Sequence, residues 1–178
     1  DTPVSTELLD EGVLSVETGD LDGDGDDDVL FSDVAGRVGW LPQTPLGFGP
    51  VQVLGQFPLG SSMELELAPQ LFDLDSDGDL DVVTSLRTST GSELFAYEQV
   101  APGSFAQPRI LASALRAFMS FSLGEINGDG LLDALVTTSL GTNHQLRWLP
   151  GLGNGRFTPV QMILNPLAGY VDPVLLDT

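Results

Sequence analysis

Residues 20–30 read DLDGDGDDDVL, residues 73–83 read DLDSDGDLDVV, and residues 125–135 read EINGDGLLDAL. The three align without gaps at offsets of 53 and 52 residues, so the chain is built from a repeat of about 50 residues. A second landmark keeps step with the first. Trp40 with Phe48, Tyr97 with Phe105, and Trp148 with Phe157 each follow an acidic stretch, and Pro50, Pro108 and Pro159 follow the phenylalanines. Adding a further 52 residues to Glu125 reaches Asp177, which reads as the opening of a fourth copy. Pro3-Val4 matches Pro50-Val51 and Pro159-Val160 and reads as the end of an earlier one.

Outside the acidic stretches the apolar runs are short, rich in Val, Leu and Phe, and bounded by Gly, Pro, Asn or Ser, which is the signature of strands and hairpins. The pattern predicts strands near 12–18, 28–34, 37–43 and 51–56 in the first repeat. In the second they fall near 63–72, 81–86, 93–99 and 109–113, and in the third near 117–124, 133–138, 145–149 and 160–164. Four strands per repeat is the size of a β-propeller blade. The expected fold is therefore all-β, with blades of four antiparallel strands: about three blades plus flanking strands, a partial propeller. The whole of 1–178 reads as a single repeat domain, with repeats at 12–57, 63–114 and 117–164 and with 1–11 and 165–178 as parts of adjacent blades. A sandwich of ordinary hairpins would give no reason for a nine-residue acidic loop to recur at near-constant spacing.

Composition agrees with a packed β-protein. Apolar residues make up 42% of the 178 and charged ones only 18%, which supports a core and argues against an acidic disordered tail. The 21 glycines and 12 prolines interrupt any long helix. Six basic residues, all arginine, against 26 acidic ones leave a net charge of −20, which disfavours nucleic acid and anionic membrane as partners. With no cysteine there is no disulfide scaffold, thiolate zinc site or cysteine nucleophile. No apolar run approaches a membrane span, and the opening residues DTPVSTELLD lack the features of a signal peptide, as expected of a mature chain or an excised piece.

Each acidic loop sets oxygen-bearing side chains at positions 1, 3, 5 and 9 with glycine at position 6. These are Asp20, Asp22, Asp24 and Asp28 with Gly25; Asp73, Asp75, Asp77 and Asp81 with Gly78; and Glu125, Asn127, Asp129 and Asp133 with Gly130. The backbone carbonyls of Asp26, Asp79 and Leu131 are the expected position-7 ligands. Carboxylates converging on one turn repel unless a cation neutralises them, and six to eight oxygens in a flexible loop favour Ca2+ over the rigid octahedron of magnesium. An EF-hand needs a glutamate at position 12, where this chain has Phe31, Thr84 and Val136, so the loops join strands and not helices.

The pattern D-x-D-G-D-G-x-x-D before an apolar strand, with a Gly-x-Phe or Gly-Phe segment downstream, resembles the FG-GAP/VCBS repeat of integrin-α-type β-propellers. That resemblance implies a secreted or cell-surface protein, calcium in the loop between the first two strands of a blade, and the aspartates above as metal ligands. Glu125 and Asn127 depart from the motif and weaken the third site. Three blades also fall short of a closed ring, so the remaining blades of a parent propeller, or self-association, are expected to bury the end faces, with strands near 4–9 and 170–176 left incomplete.

The functional expectation is a calcium-stabilised extracellular binding or adhesion module with structural metal sites and no enzymatic activity. The alternatives are a segment of a secreted polysaccharide- or phospholipid-degrading enzyme and an assembly scaffold fragment. Trp40, Tyr97 and Trp148 read as packing between sheets in preference to a sugar platform. His144, the sole histidine, is placed in a hairpin turn, and no nucleophile motif accompanies it. A protein or glycan ligand is expected on the face opposite the calcium loops, near Arg37, Arg87, Arg116 and His144.

Overall fold

A computed structural model describes residues 12–57, 64–114, 117–140, 143–159 and 161–168. The expected strands near 4–9 and 170–176, Arg116, and the fourth motif at Asp177 lie outside the described residues.

Three four-stranded antiparallel sheets carry the fold. The first holds β1 (Val13–Gly19), β2 (Asp28–Asp33), β3 (Arg37–Leu41) and β6 (Gln52–Gln56), with a small hairpin of β4 (Gln43–Thr44) and β5 (Gly47–Phe48) inserted before β6. The second holds β7 (Glu64–Phe72), β8 (Asp81–Thr88), β9 (Gly91–Tyr97) and β12 (Arg109–Ala114), with the small hairpin β10 (Gln99–Ala101) and β11 (Ser104–Phe105). The third repeats this with β13 (Phe118–Gly124), β14 (Asp133–Leu140), β15 (Asn143–Leu149) and β18 (Gln161–Ala168), around β16 (Gly151–Gly153) and β17 (Arg156–Phe157). Each sheet is an in-order meander, as a propeller blade is, and the fold is all-β with a partial-propeller arrangement of three blades.

Three details differ from the sequence reading. The small hairpins were not anticipated, because two-residue strands leave no apolar period to detect. β14 and β15 extend their ladder to Leu140↔Asn143, so His144 sits in a strand opposite Ser139 and not in a turn. The last strand continues to Ala168, four residues beyond its expected end.

The middle blade is sandwiched. All of Asp81–Leu86 is buried, because one face of β8 meets the first blade and the other meets the third. Val82, Leu86, Phe95 and Tyr97 pack against Leu21, Leu30, Val38 and Trp40 of the first blade. On the other face, Leu74, Val83, Leu94 and Ala96 pack against Phe118, Phe121, Leu123, Ala134, Val136 and Leu149 of the third. Phe95 and Tyr97 meet edge to face at 5.7 Å, and burial pushes the Tyr97 hydroxyl up to about 12.

Register corrects the aromatic landmark. Trp40 lies opposite Leu30, Ala96 opposite Val83, and Trp148 opposite Leu135, so Ala96 is the true counterpart of the two tryptophans. Tyr97 is one residue on and therefore faces the other way. Trp40 and Tyr97 thus approach one junction from opposite sheets, both buried as packing residues, whereas Trp148 on the outer face of the third blade is only half-buried.

The small hairpins tie blade to blade. Gly103, at the tip of β10–β11, donates its N–H to the carbonyl of Leu21 in the first acidic loop at 3.0 Å, and Gly155, at the tip of β16–β17, donates to Leu74 in the second at 2.9 Å. Both tip glycines adopt the left-handed conformation, at φ 66° and 57°, which side-chain-bearing residues rarely take. Arg109 reinforces the second tie, donating to the carbonyls of Gly155 at 2.8 Å and Asn154 at 3.1 Å while paired with Glu98. Leu21 and Leu74 are drawn fully into the interblade cores as a result. Leu74→Ala is therefore expected to cost about 2–5 kcal/mol, whereas Leu152→Ala on an exposed hairpin should stay within about 0.5 kcal/mol, as read by urea denaturation.

Candidate metal centre

Each acidic loop connects the first two strands of its blade, at the end where the small hairpins also lie. The position-6 glycines Gly25, Gly78 and Gly130 have φ of 92°, 95° and 79°, so the turn depends on the left-handed backbone that glycine permits.

In the first loop, carboxylate oxygens of Asp20, Asp22 and Asp28 lie within 4.8 Å of one another, and in the second those of Asp73, Asp75 and Asp77 do so. Backbone amides organise both clusters. Asp20 accepts from Gly23 at 2.7 Å and from Gly25 at 3.0 Å, while Asp73 accepts from Asp77 at 3.1 Å and Gly78 at 3.2 Å. Position 5 accepts from the amide of position 7 in all three loops: Asp24 from Asp26 and Asp77 from Asp79, both at 2.9 Å, and Asp129 from Leu131 at 2.8 Å. Asp24 stands exposed outside the first convergent group, and Asp81 is buried outside the second. Positions 1 and 3 are common to both groups. Such donor sets, oxygen-only and anionic, suit a hard divalent cation.

The position-9 aspartates have a second task that sequence spacing did not disclose. Asp28 is fully buried, and its two oxygens accept from Leu21 at 2.8 Å and Gln43 at 2.7 Å. Asp81 does the same with Leu74 at 3.0 Å and Gln99 at 2.8 Å. Each carboxylate clasps its own acidic loop to the segment that opens the small hairpin of the same blade.

The third loop differs. Residues 125–130 are all exposed, Glu125 accepts from Asn127 at 2.8 Å and Gly128 at 2.7 Å, and Asn127 donates its side-chain amide to Asp129 at 2.9 Å. Among the described residues, no convergent group of three forms there. Asp133 holds Gly151 at 2.6 Å through one oxygen, while its other oxygen is buried with no partner.

Electrostatics agree with cation-seeking loops. Burial, then the charges of Asp28 and Asp24, raise the Asp22 carboxyl above its ordinary value, and burial with the neighbouring Asp77 raises Asp75. Desolvation pushes Asp81 up to about 6 against its two amide hydrogen bonds. On the opposite side, Arg37 is engaged with Asp33 at 2.6 Å and Arg87 is exposed at the end of β8.

The clasp has a measurable weight of its own. In chelator, so that no ion takes part, Asp28→Asn sets an amide N–H against a backbone donor and should cost about 1–3 kcal/mol in urea denaturation, while Asp24→Asn on the exposed turn should cost less than about 0.5 kcal/mol.

Comparison with known proteins adds one finding to this geometry. No curated protein matches the chain. Residues 73–136 match the family model described as FG-GAP-like repeat. The match opens on Asp73, position 1 of the second loop, and closes past Asp133 of the third, so it spans one acidic loop to the next. Residues 73–136 therefore read as an FG-GAP-like repeat, consistent with the recurring acidic loops and four-stranded sheets.

Proposed function

We propose that this chain is a calcium-stabilised extracellular binding or adhesion module, in which the ions are structural and the recognition surface lies on the face opposite the acidic loops. The observation that carries the reading is the convergence of Asp20, Asp22 and Asp28, and of Asp73, Asp75 and Asp77, each within 4.8 Å on a turn organised by backbone amides. Mutually repelling carboxylates held at a strand junction are best neutralised by Ca2+, and open loops of this kind suit extracellular calcium at roughly 10⁻⁴–10⁻³ M. The FG-GAP-like match supports a propeller-type module. No helix among the described residues is long and apolar enough to cross a membrane.

In this reading calcium locks the loops to which the neighbouring hairpins are tied, and so rigidifies the blades as a platform. The β2–β3, β8–β9 and β14–β15 ends, at the far side, carry a protein or glycan ligand, since loops on a rigid scaffold commonly hold binding residues.

Titration calorimetry should find two strong calcium sites, at the Asp20 and Asp73 loops, and a weaker third at the Glu125 loop. Binding to the folded state alone adds about 2.7 kcal/mol per site at a hundredfold excess over Kd, so chelation should lower the melting temperature. Asp24→Ala should weaken binding more than Asp129→Ala. Absence of any heat with millimolar calcium overturns the reading. The chain should also cleave neither glycans nor esters. Hydrolysis by purified protein that disappears in His144→Ala would show instead that the chain is an enzyme.

A further inference from the structure

A groove runs along the junction of the first two blades, beside the edge strands β6 and β12, with both walls made of described residues. Three cavities follow one another in it. The first, of about 230 Å³, is lined by Trp40, Gln52 and Leu54 of the first blade and by Tyr97, Gly103 and Gln107 of the second. The next, of about 140 Å³, shares Pro108 with the first and adds Phe57, Leu86, Phe95 and Ile110. The third, of about 130 Å³, shares Glu93 with the second and reaches the β8–β9 turn at Thr88 and Thr90.

Strand β9 sets the line of the groove. Glu93, Phe95 and Tyr97 alternate onto one face, Ile110 stands opposite Phe95, and Ser113 opposite Glu93. From Tyr97 to Glu93 the strand advances about 13 Å. Strands β8 and β9, of 8 and 7 residues, are longer than β2 and β3, of 6 and 5, and so extend past them at the end away from the acidic loops.

The chemistry changes along this line. At the first end Trp40 is 3% exposed, and its Nε1 is buried with no partner. Gly103 lies against the neighbouring Cζ2 edge of the indole, where a Cβ would stand 3.4 Å away, so the donor's side of the ring is turned to the hairpin tip that lines the cavity. Gln52 and Gln107 are exposed at the rim. The middle cavity is apolar except for Glu93, which is half-buried and forms no ion pair among the described residues.

We infer that the groove is a docking site for a short extended peptide of a partner protein. An apolar side chain fills the middle cavity, a basic side chain two residues along pairs with Glu93, and a backbone carbonyl accepts from Trp40 Nε1. Charge selects the sequence: Glu93 is the one charged residue in the lining and the chain carries −20, so a basic segment is attracted and an acidic one repelled. An extended peptide sends alternate side chains to one side at the spacing of Phe95 and Glu93. It also presents a carbonyl and, except at proline, an N–H at each residue, which suits an unpartnered indole N–H flanked by two carboxamides. A sugar suits the groove less, since its hydroxyls would lose water against Phe57, Leu86, Phe95 and Ile110 with no side chain there to replace it. The groove ends at the β8–β9 turn, on the side proposed above for recognition. The inference rests on that reading for the existence of an external ligand and is independent of calcium.

The test titrates isotope-labelled chain, in millimolar calcium, with capped peptides of about six residues that carry leucine and arginine two positions apart, in either order. Two indole N–H resonances are available, from Trp40 and Trp148, and Trp148→Phe assigns them. The Trp40 resonance should move and the Trp148 resonance stay. Ile110→Lys, at a position 59% exposed, should abolish binding with the circular dichroism unchanged. Citrulline in place of the peptide's arginine should weaken binding about fivefold, and Glu93→Gln should do the same to the arginine peptide while leaving the citrulline peptide unaffected. A Trp40 resonance unmoved by millimolar peptide, or equal effects of Glu93→Gln on the two peptides, overturns the docking. An oligosaccharide that moves the Trp40 resonance where the peptides do not also overturns it. Peptide contacts confined to the β2–β3 and β14–β15 ends would sink the groove and leave the recognition reading standing, whereas peptide binding without calcium heat would sink the calcium reading alone.

Discussion

The structure hangs on a buried carboxylate with two backbone partners. Asp28 and Asp81 each join the amide of an acidic loop to the amide that opens the small hairpin in their own blade. Burying a carboxyl group costs least when both of its oxygens are bonded, so the clasp fixes two otherwise independent loops in one geometry. Everything at that end of the blades follows from it. The clasped hairpin of one blade reaches the clasped loop of the blade before, and Leu21 and Leu74 are carried into the interblade cores.

Packing and carboxylate clustering are therefore coupled in one turn of chain. Within a single nine-residue loop, position 2 supplies a core leucine, position 9 supplies the clasp, and positions 1 and 3 supply carboxylates of the convergent group. The residue that faces the neighbouring blade lies between two carboxylates of the convergent group. A change in blade contact should then alter the carboxylate cluster, and the contrast between the second and third loops is of that kind. Asp81 and Asp133 are both buried, yet only Asp81 has both oxygens satisfied, and only the second loop lies beneath a hairpin tip among the described residues.

The three blades are alike in topology but not in the composition of their faces. Alternation along β8 and β9 places Val82, Phe95 and Tyr97 on one side and Val83, Leu94 and Ala96 on the other, and both sides are covered. Among the described residues of the end blades, Val16 and Ile126 are exposed where their internal counterparts are hidden, although Phe31 opposite Val16 is buried. Burial of apolar area is the main stabilising term in such an array, and the middle blade, covered on both sides, contributes most to it.

The amino-acid sequence by itself determined the repeat, the four-strand meander of each unit, the acidic loops between first and second strands, and the glycine at each sixth position. These are local properties: a nine-residue motif closes on its own backbone, and a short apolar run next to a turn declares a strand without reference to anything distant. Only the tertiary structure decided that Tyr97 turns away from the side that Trp40 faces, since a one-residue offset in register reverses a side chain's face. It alone decided that Gly103 and Gly155 reach across to the preceding loops, and that two acidic loops converge while the third stays open. Those outcomes depend on which blade lies against which, and contact between sheets some 50 residues apart leaves no periodic mark in the chain.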